Sequence, residues 1–301
     1  MDLAAKKQLS KIMAAAGAAM LAAALYAIAP AAHAAGDVNV LYAGSLVNLM
    51  EHGVGPAFDK ASGDAFRGFA GGSDKLANEI KGKLRRGDVF VSANPKVNDS
   101  LMGAANGNWV SWYISFAQSP LVIGYNPSSK FAADFKSKPW YQALQAPGVR
   151  IGRTDPKLDP KGALTVKLMS AGATFYQIPD LSQKIIGAPE NPEQVFPEET
   201  LVGRLQSGQL DAGFFYSTET AAARIPAVTL PPEIAPTAVY TATILHNAPN
   251  PAGADRFVTF LLGPDGKKIM EENGLDVQRL SLAGGSGGVP KNIRAFVDQV
   301  K

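Results

Sequence analysis

Two serines in this sequence share one situation. Ser45 follows the run Val38-Asn39-Val40-Leu41-Tyr42 across Ala43-Gly44, and Ser73 follows Ala65-Phe66-Arg67-Gly68-Phe69 across Ala70-Gly71-Gly72. Each lies in a glycine-containing turn between an extended segment and a helical pattern. At a helix start the first backbone N–H groups lack internal partners and the dipole presents its positive end, so such turns favour anions. A serine there also serves as an ordinary cap of its own helix. Two such turns at the carboxyl ends of neighbouring strands point beyond capping, because ligands of open α/β sheets bind at that edge. Two more loops open helices later in the chain, Thr154-Asp155-Pro156-Lys157-Leu158-Asp159-Pro160-Lys161-Gly162-Ala163 and Phe196-Pro197-Glu198-Glu199-Thr200. Facing the first pair across a cleft, they would complete a site for a small anion. Asp159 is equally placed to cap the helix that follows it.

The elements that must position these loops follow from periodicity. Alternating, β-branched Val38 to Tyr42 predicts a strand, and Leu46, Leu49 and Met50 continue as a helix. Ala65 to Phe69 and a helix from Lys75 to Leu84 repeat the unit, and Asp88 to Ala93 adds a short buried strand. Strands alternating with helices argue for an α/β class with a largely parallel sheet. From Trp112, Tyr113 to Ala117 meets Gln118-Ser119-Pro120 and resumes as Leu121 to Tyr125, a strand pair with a break in the middle. A second α/β set contains Val149 to Gly152, a helix through Leu164, Leu168 and Met169, a helix near Thr200 to Leu205, and the strand Ala212 to Tyr216. Val239 to Ile244 is again a strand, and 254–262 and 267–272 are helical. Extended segments near Phe116–Pro120 and Val239–Ile244 could cross between two lobes. The expected division is a first lobe of 35–117 with 241–301, and a second lobe of 118–240.

The amino terminus places the chain outside the cytoplasm. Lys6, Lys7 and Lys11 precede an alanine-rich run from Ile12 to about Ala32, which closes on Ala32-His33-Ala34. That is the pattern of a signal peptide, residues 1–34, cleaved after Ala34 and exporting the chain to the periplasm. An uncleaved anchor is the rival, weakened by Pro30 within the run. The chain has no cysteine, so neither disulfides nor thiolate metal sites are available. Its formal charge of +3 falls close to neutral once the leader is removed, and no nucleic-acid partner is indicated. Lys81, Lys83, Arg85 and Arg86 look like a cationic end of the Lys75–Leu84 helix. No Gly-x-Ser-x-Gly elbow is present, and beyond the leader only His52 and His246 remain, far apart in sequence. A serine hydrolase or a histidine zinc site is therefore a poor fit. The expectation is a binding protein, not an enzyme, without a cofactor.

The chain resembles the periplasmic molybdate- and tungstate-binding proteins of ABC importers over nearly its whole mature length. The carriers are Leu41-Tyr42-Ala43-Gly44-Ser45-Leu46, Gly71-Gly72-Ser73, Gly87-Asp88-Val89-Phe90-Val91-Ser92-Ala93, Asp155-Pro156, Asp159-Pro160-Lys161-Gly162, Glu199-Thr200-Leu201, Ser207 to Tyr216, and Asn250 to Phe257. The resemblance implies a monomeric, two-lobed type II periplasmic binding protein, with two crossing hinge strands and a mostly parallel, helix-flanked sheet in each lobe. It would capture molybdate or tungstate and deliver it to the membrane permease of an ABC importer. Ser45 and Ser73 would bind the oxyanion through hydroxyl and backbone N–H groups, Tyr216 through its phenol, and the Asp159-Gly162 and Glu199 loops from the second lobe. In the tungstate-type branch two carboxylates complete an octahedral shell around the metal. Asp159 matches one and would be a metal ligand only in that six-coordinate mode. Where the second is expected the sequence has Phe214 and Phe215, with Glu199 and Glu219 as nearby alternatives. This absence tilts the expectation toward a four-coordinate oxyanion. Sulfate, phosphate or a small organic anion remains the alternative, whereas a ferric ion would need phenolates and finds only Phe215-Tyr216.

Overall fold

The computed structural model describes residues 36–298; the leader and its cleavage site lie outside the described residues. Its strands are β1 (Asp37–Ala43), β2 (Ala65–Gly71), β3 (Val89–Ser92), β4 (Trp112–Tyr125), β5 (Ile151–Gly152), β6 (Ala212–Tyr216), β7 (Ala227–Thr229), β8 (Thr237–Ile244) and β9 (Asp276–Gly284). The α-helices of six residues or more are α1 (Gly55–Ser62), α2 (Ser73–Lys81), α3 (Ala132–Ser137), α4 (Pro160–Phe175), α5 (Leu201–Gln206), α6 (Ser217–Ala222), α7 (Pro251–Leu262), α8 (Pro264–Glu272) and α9 (Lys291–Asp298). None of the described helices is long and apolar enough to cross a membrane.

The strands join in the order β2-β1-β3-β8-β4-β6-β5, with β7 and β9 also pairing with β4. Period-two alternation decides what each strand buries. In β1, Val38, Val40 and Tyr42 face the main core with Phe58 and Phe257, while Leu41 faces Leu76 and Ile80 of α2 on the other side. In β6, Phe214 and Tyr216 join the main core, while Phe215 packs against Leu201 and Leu205 of α5. Phe215 therefore closes a small apolar core under α5.

Several sequence expectations are revised. The sheet is mixed: β1 pairs in parallel with β2 and β3, and β5 with β6, but every pairing of β4 and β8 is antiparallel. The segment 112–125 is one strand, not a broken pair. Its irregularity is a register shift between Ser115 and Ala117. Pro120 is tolerated because it falls between the last β9 partner, at Gln118, and the first β6 partner, at Leu121, so its missing N–H lies in a gap of the ladder on that side. Ser119 is buried in the same gap, where its Oγ accepts from Thr218 N at 3.1 Å and Thr218 Oγ1 at 2.8 Å. The helix expected over Lys75–Leu84 runs instead from Ser73 to Lys81, because Lys83 turns left-handed at φ 56°. Only Lys81 then sits in its last turn; Arg85 bonds Glu79 and lies over the Phe69 ring. The long β9 was not foreseen, and neither was the π turn Met50–Val54 that joins the Ser45 turn to α1.

Asp211, at the foot of β6, illustrates how a buried carboxylate is held. It accepts from Arg150 N, Nε and Nη2 at 2.8–2.9 Å and from Ser129 Oγ at 2.7 Å. Burial pushes the carboxyl up, but these bonds outweigh it and hold it down at about 2. A folded pKa below the unfolded one contributes stability above the unfolded value that is lost as pH falls through the folded one. Asp211→Asn should therefore lower stability at pH 7 by about 1–3 kcal/mol. The gap to the parent should close between about pH 4 and 2 in denaturant titrations.

Candidate functional site

Neither candidate serine caps its own helix. Ser45 lies in a single 3-10 turn after β1, and its Oγ accepts from Tyr240 Oη of β8 at 3.1 Å. Ser73 opens α2 after β2, fully buried, and its Oγ accepts from Ala93 N at 3.1 Å, beyond the end of β3. Each hydroxyl, serving as acceptor in these bonds, keeps its own proton to donate.

Asp159 has two roles on two oxygens. Oδ1 caps α4, accepting from Lys161 N at 3.0 Å and Thr154 Oγ1 at 2.6 Å. Oδ2 is buried with no hydrogen-bond partner. Gly162, one turn on, has no room for a side chain, since a Cβ there would lie 2.5 Å from Thr154 O. Its place in the fold is to let the first turn of α4 pack on the 154–155 backbone.

The second loop delivers Glu198, not Glu199. Glu199 is exposed at the rim of two cavities, about 260 and 180 Å³, that flank the cluster. Glu198 is buried, and both its carboxylate oxygens lack hydrogen-bond partners. Tyr216 ends β6 fully buried, its phenol oxygen likewise unpartnered, with its ring 6.2 Å from that of Tyr240. Buried polar atoms are almost always hydrogen-bonded, so these four oxygens in one cluster call for an explanation.

Two glycines let the turns approach. A Cβ at Gly44 would lie 2.9 Å from Glu198 Oε2, and one at Gly72 would lie 2.4 Å from Leu158 O and 3.1 Å from Asp159 Cβ. Lys75 N, in the first turn of α2, donates to Leu158 O at 3.0 Å. Each serine turn thus abuts one carboxylate-bearing loop.

Lys161 supplies the cation that sequence reasoning did not single out. It is fully buried, and its Nζ donates to both oxygens of Glu219 at 2.8 and 2.9 Å and stands 3.4 Å from Glu198 Oε1. Glu219 in turn accepts from Tyr216 N at 2.7 Å. Burial would lower the Lys161 ammonium, but Glu219, Glu198 and Asp159 together raise it. Glu198 is pushed well above the usual carboxylate range, first by burial and then by Asp159. Burial also pushes the Tyr216 and Tyr240 phenols up, so both stay neutral donors. Asp74, beside Ser73, is pushed up to about 6 by burial and then by Asp159.

The structure thus brings Ser45, Asp159 and Tyr216 to one cluster, with Ser73 in the turn that abuts the Asp159 loop, and leaves Glu199 at the rim. Glu198, Lys161 and Tyr240, not singled out from the sequence, lie in the same cluster, and Glu219 is held in an ion pair. A larger cavity of about 560 Å³, lined by Lys83, Arg85, Arg86 and Trp109, contains none of the candidate residues.

The chain is similar to known proteins in sequence and fold. The model of the bacterial extracellular solute-binding proteins matches residues 38–276. A solute-binding protein of Petrotoga mobilis, itself uncharacterized, is 31% identical over 273 residues, covering 79% of this chain and 83% of that protein. The molybdate/tungstate-binding protein WtpA of Thermococcus kodakarensis is 28% identical over 280 residues, covering 77% and 78%. Among solved structures, the periplasmic molybdate-binding protein of Azotobacter vinelandii superposes with a TM-score of 0.62 over 80% of this chain and 99% of that one, at 20% identity. The α/β fold is that of type II periplasmic binding proteins. The chain belongs to the family of bacterial extracellular solute-binding proteins.

Proposed function

We propose that this chain captures molybdate or tungstate between two lobes, 35–117 with 241–301 and 118–240, and delivers it as a monomer from the periplasm to the permease of an ABC importer. The observation that carries the reading is the convergence of the buried Asp159 and Glu198 carboxyls on the two serine turns, with Asp159 Oδ2 and both Glu198 oxygens lacking a well-formed hydrogen bond and Glu198 Oε1 only 3.4 Å from Lys161 Nζ. A carboxylate beside a dianion is repulsive. At about 4 Å and an effective dielectric constant of about 20, a pair of unit charges already costs about 4 kcal/mol. Two such carboxylates are favourable only where their oxygens bond the central atom, which molybdenum and tungsten accept and sulfur does not. Glu198 offers a second carboxylate beside Asp159, which supports a six-coordinate mode over the four-coordinate one expected from the sequence. Ser45, Ser73 and the Tyr216 phenol then donate to the oxo groups, and Lys161 supplies the local positive charge.

Calorimetric titration with tungstate, molybdate, sulfate and phosphate tests this directly. Tight binding of the first two and weak binding of the others is expected; preference for sulfate or phosphate would contradict it. In the same assay Ser45→Ala and Ser73→Ala should each weaken tungstate binding by about 1–3 kcal/mol, the range for a lost hydrogen bond to a charged group. Variants that bind as the parent does would leave these serines with their Tyr240 and Ala93 contacts alone.

A further inference from the structure

Four ionisable side chains are buried in the cluster: the carboxyls of Asp159, Glu198 and Glu219 and the ammonium of Lys161. Three potential negative charges thus surround one positive charge. Buried ion pairs are weak evidence for stability, because apolar residues of similar volume often serve as well. Their placement matters more here. Glu219 is fully engaged, both oxygens on Lys161 Nζ and one also on Tyr216 N, so it has no free oxygen for a ligand. Lys161 follows the Asp159 cap by two residues and stands 3.4 Å from Glu198. An ammonium in that place, left unmasked, would attract any dianion that entered the cleft.

We infer that the Lys161–Glu219 pair sets selectivity: Glu219 masks the one cation of the cluster, so that only an oxyanion whose centre bonds Asp159 and Glu198 is retained. The inference rests on the six-coordinate reading above. Masking leaves a net negative surround that repels sulfate and phosphate, which keep their four-coordinate shells. Tungstate and molybdate escape this repulsion by converting two carboxylate charges into bonds.

Glu219→Gln tests it, since glutamine keeps the volume and an oxygen acceptor for Tyr216 N while exposing the charge of Lys161. By calorimetry, sulfate affinity should rise about tenfold or more, and the tungstate-to-sulfate ratio should fall by at least the same factor. Lys161→Met should act in the opposite direction and weaken every anion. Because that change strands Glu219 in the interior and can prevent folding, Lys161→Met/Glu219→Gln is the companion variant. It should lose the sulfate binding that Glu219→Gln gains. If Glu219→Gln weakens tungstate and sulfate alike, the pair is only a brace between α4 and α6, and the inference falls. It also falls if the double variant keeps the gained sulfate affinity. The underlying reading fails differently: a parent protein that binds no tungstate, or tungstate binding that survives Glu198→Gln, sinks the six-coordinate site whatever Glu219→Gln does.

Discussion

Glu198→Gln should reduce tungstate affinity by about 100-fold or more, a loss of about 3 kcal/mol. Glutamine matches glutamate in size, so the apolar packing of the 198–200 turn and its contact with Gly44 survive. What is lost is an anionic oxygen able to bond a metal centre. The opposing case is specific. Burial and Asp159 push the Glu198 carboxyl up, which favours its neutral form before ligand enters. A neutral carboxyl could then donate to an oxo group of a four-coordinate anion, and the glutamine amide would donate equally well. Unchanged affinity in Glu198→Gln is thus the signature of the four-coordinate mode. Asp159→Asn should show the same loss for tungstate, with little effect on folding, because asparagine retains the acceptor that caps α4.

Gly72→Val should abolish high-affinity binding through sterics alone, again by about 100-fold or more. The backbone at Gly72 has φ −57° and ψ 133°, which any residue adopts, so backbone strain is no obstacle to a side chain there. The obstacle is the facing loop. A Cβ would lie 2.4 Å from Leu158 O, a main-chain atom that cannot swing aside. The two loops would have to part, breaking the Lys75 N to Leu158 O bond of 3.0 Å. Thermal stability without ligand should fall by about 1–3 kcal/mol as the loops part, and calorimetry should show tungstate binding lost. Gly71→Ala is the control, since its Cβ would meet Leu76 Cδ2 at an ordinary 3.4 Å. If Gly72→Val binds as the parent does, contact between these loops plays no part in capture.

The strand–turn–helix units were legible because each carries its own punctuation. Alternating residues end at Ala43-Gly44-Ser45 or Gly71-Gly72-Ser73, and the turns appear in the fold where the glycines are. The long extended segments that became β4 and β8 were legible too, although Pro120 suggested a break. That inference failed because a proline costs nothing at a gap in the ladder, and only the register of β9 and β6 reveals the gap. The choice between Glu198 and Glu199 was beyond sequence reasoning. A single 3-10 turn sends neighbouring side chains in different directions, and its phase is fixed by how Pro197 and α5 pack. Lys161 was hidden for another reason: a lysine at the second position of a helix is ordinarily solvated, and its partner Glu219 is 58 residues away. Phe215 was noted as a departure from the carboxylate pattern. The fold explains it as part of a small apolar cluster with Leu201 and Leu205.

X-ray absorption spectroscopy of tungstate bound to the protein measures the central claim most directly, because it counts the oxygen neighbours of the metal. If Asp159 and Glu198 both bond the centre, the spectrum should report about six oxygens, two of them at longer distances and lost in Glu198→Gln and Asp159→Asn. A shell of four equivalent short oxygens in the parent, unchanged in both variants, would contradict it and return the site to hydrogen-bonded capture of an intact tetrahedral anion.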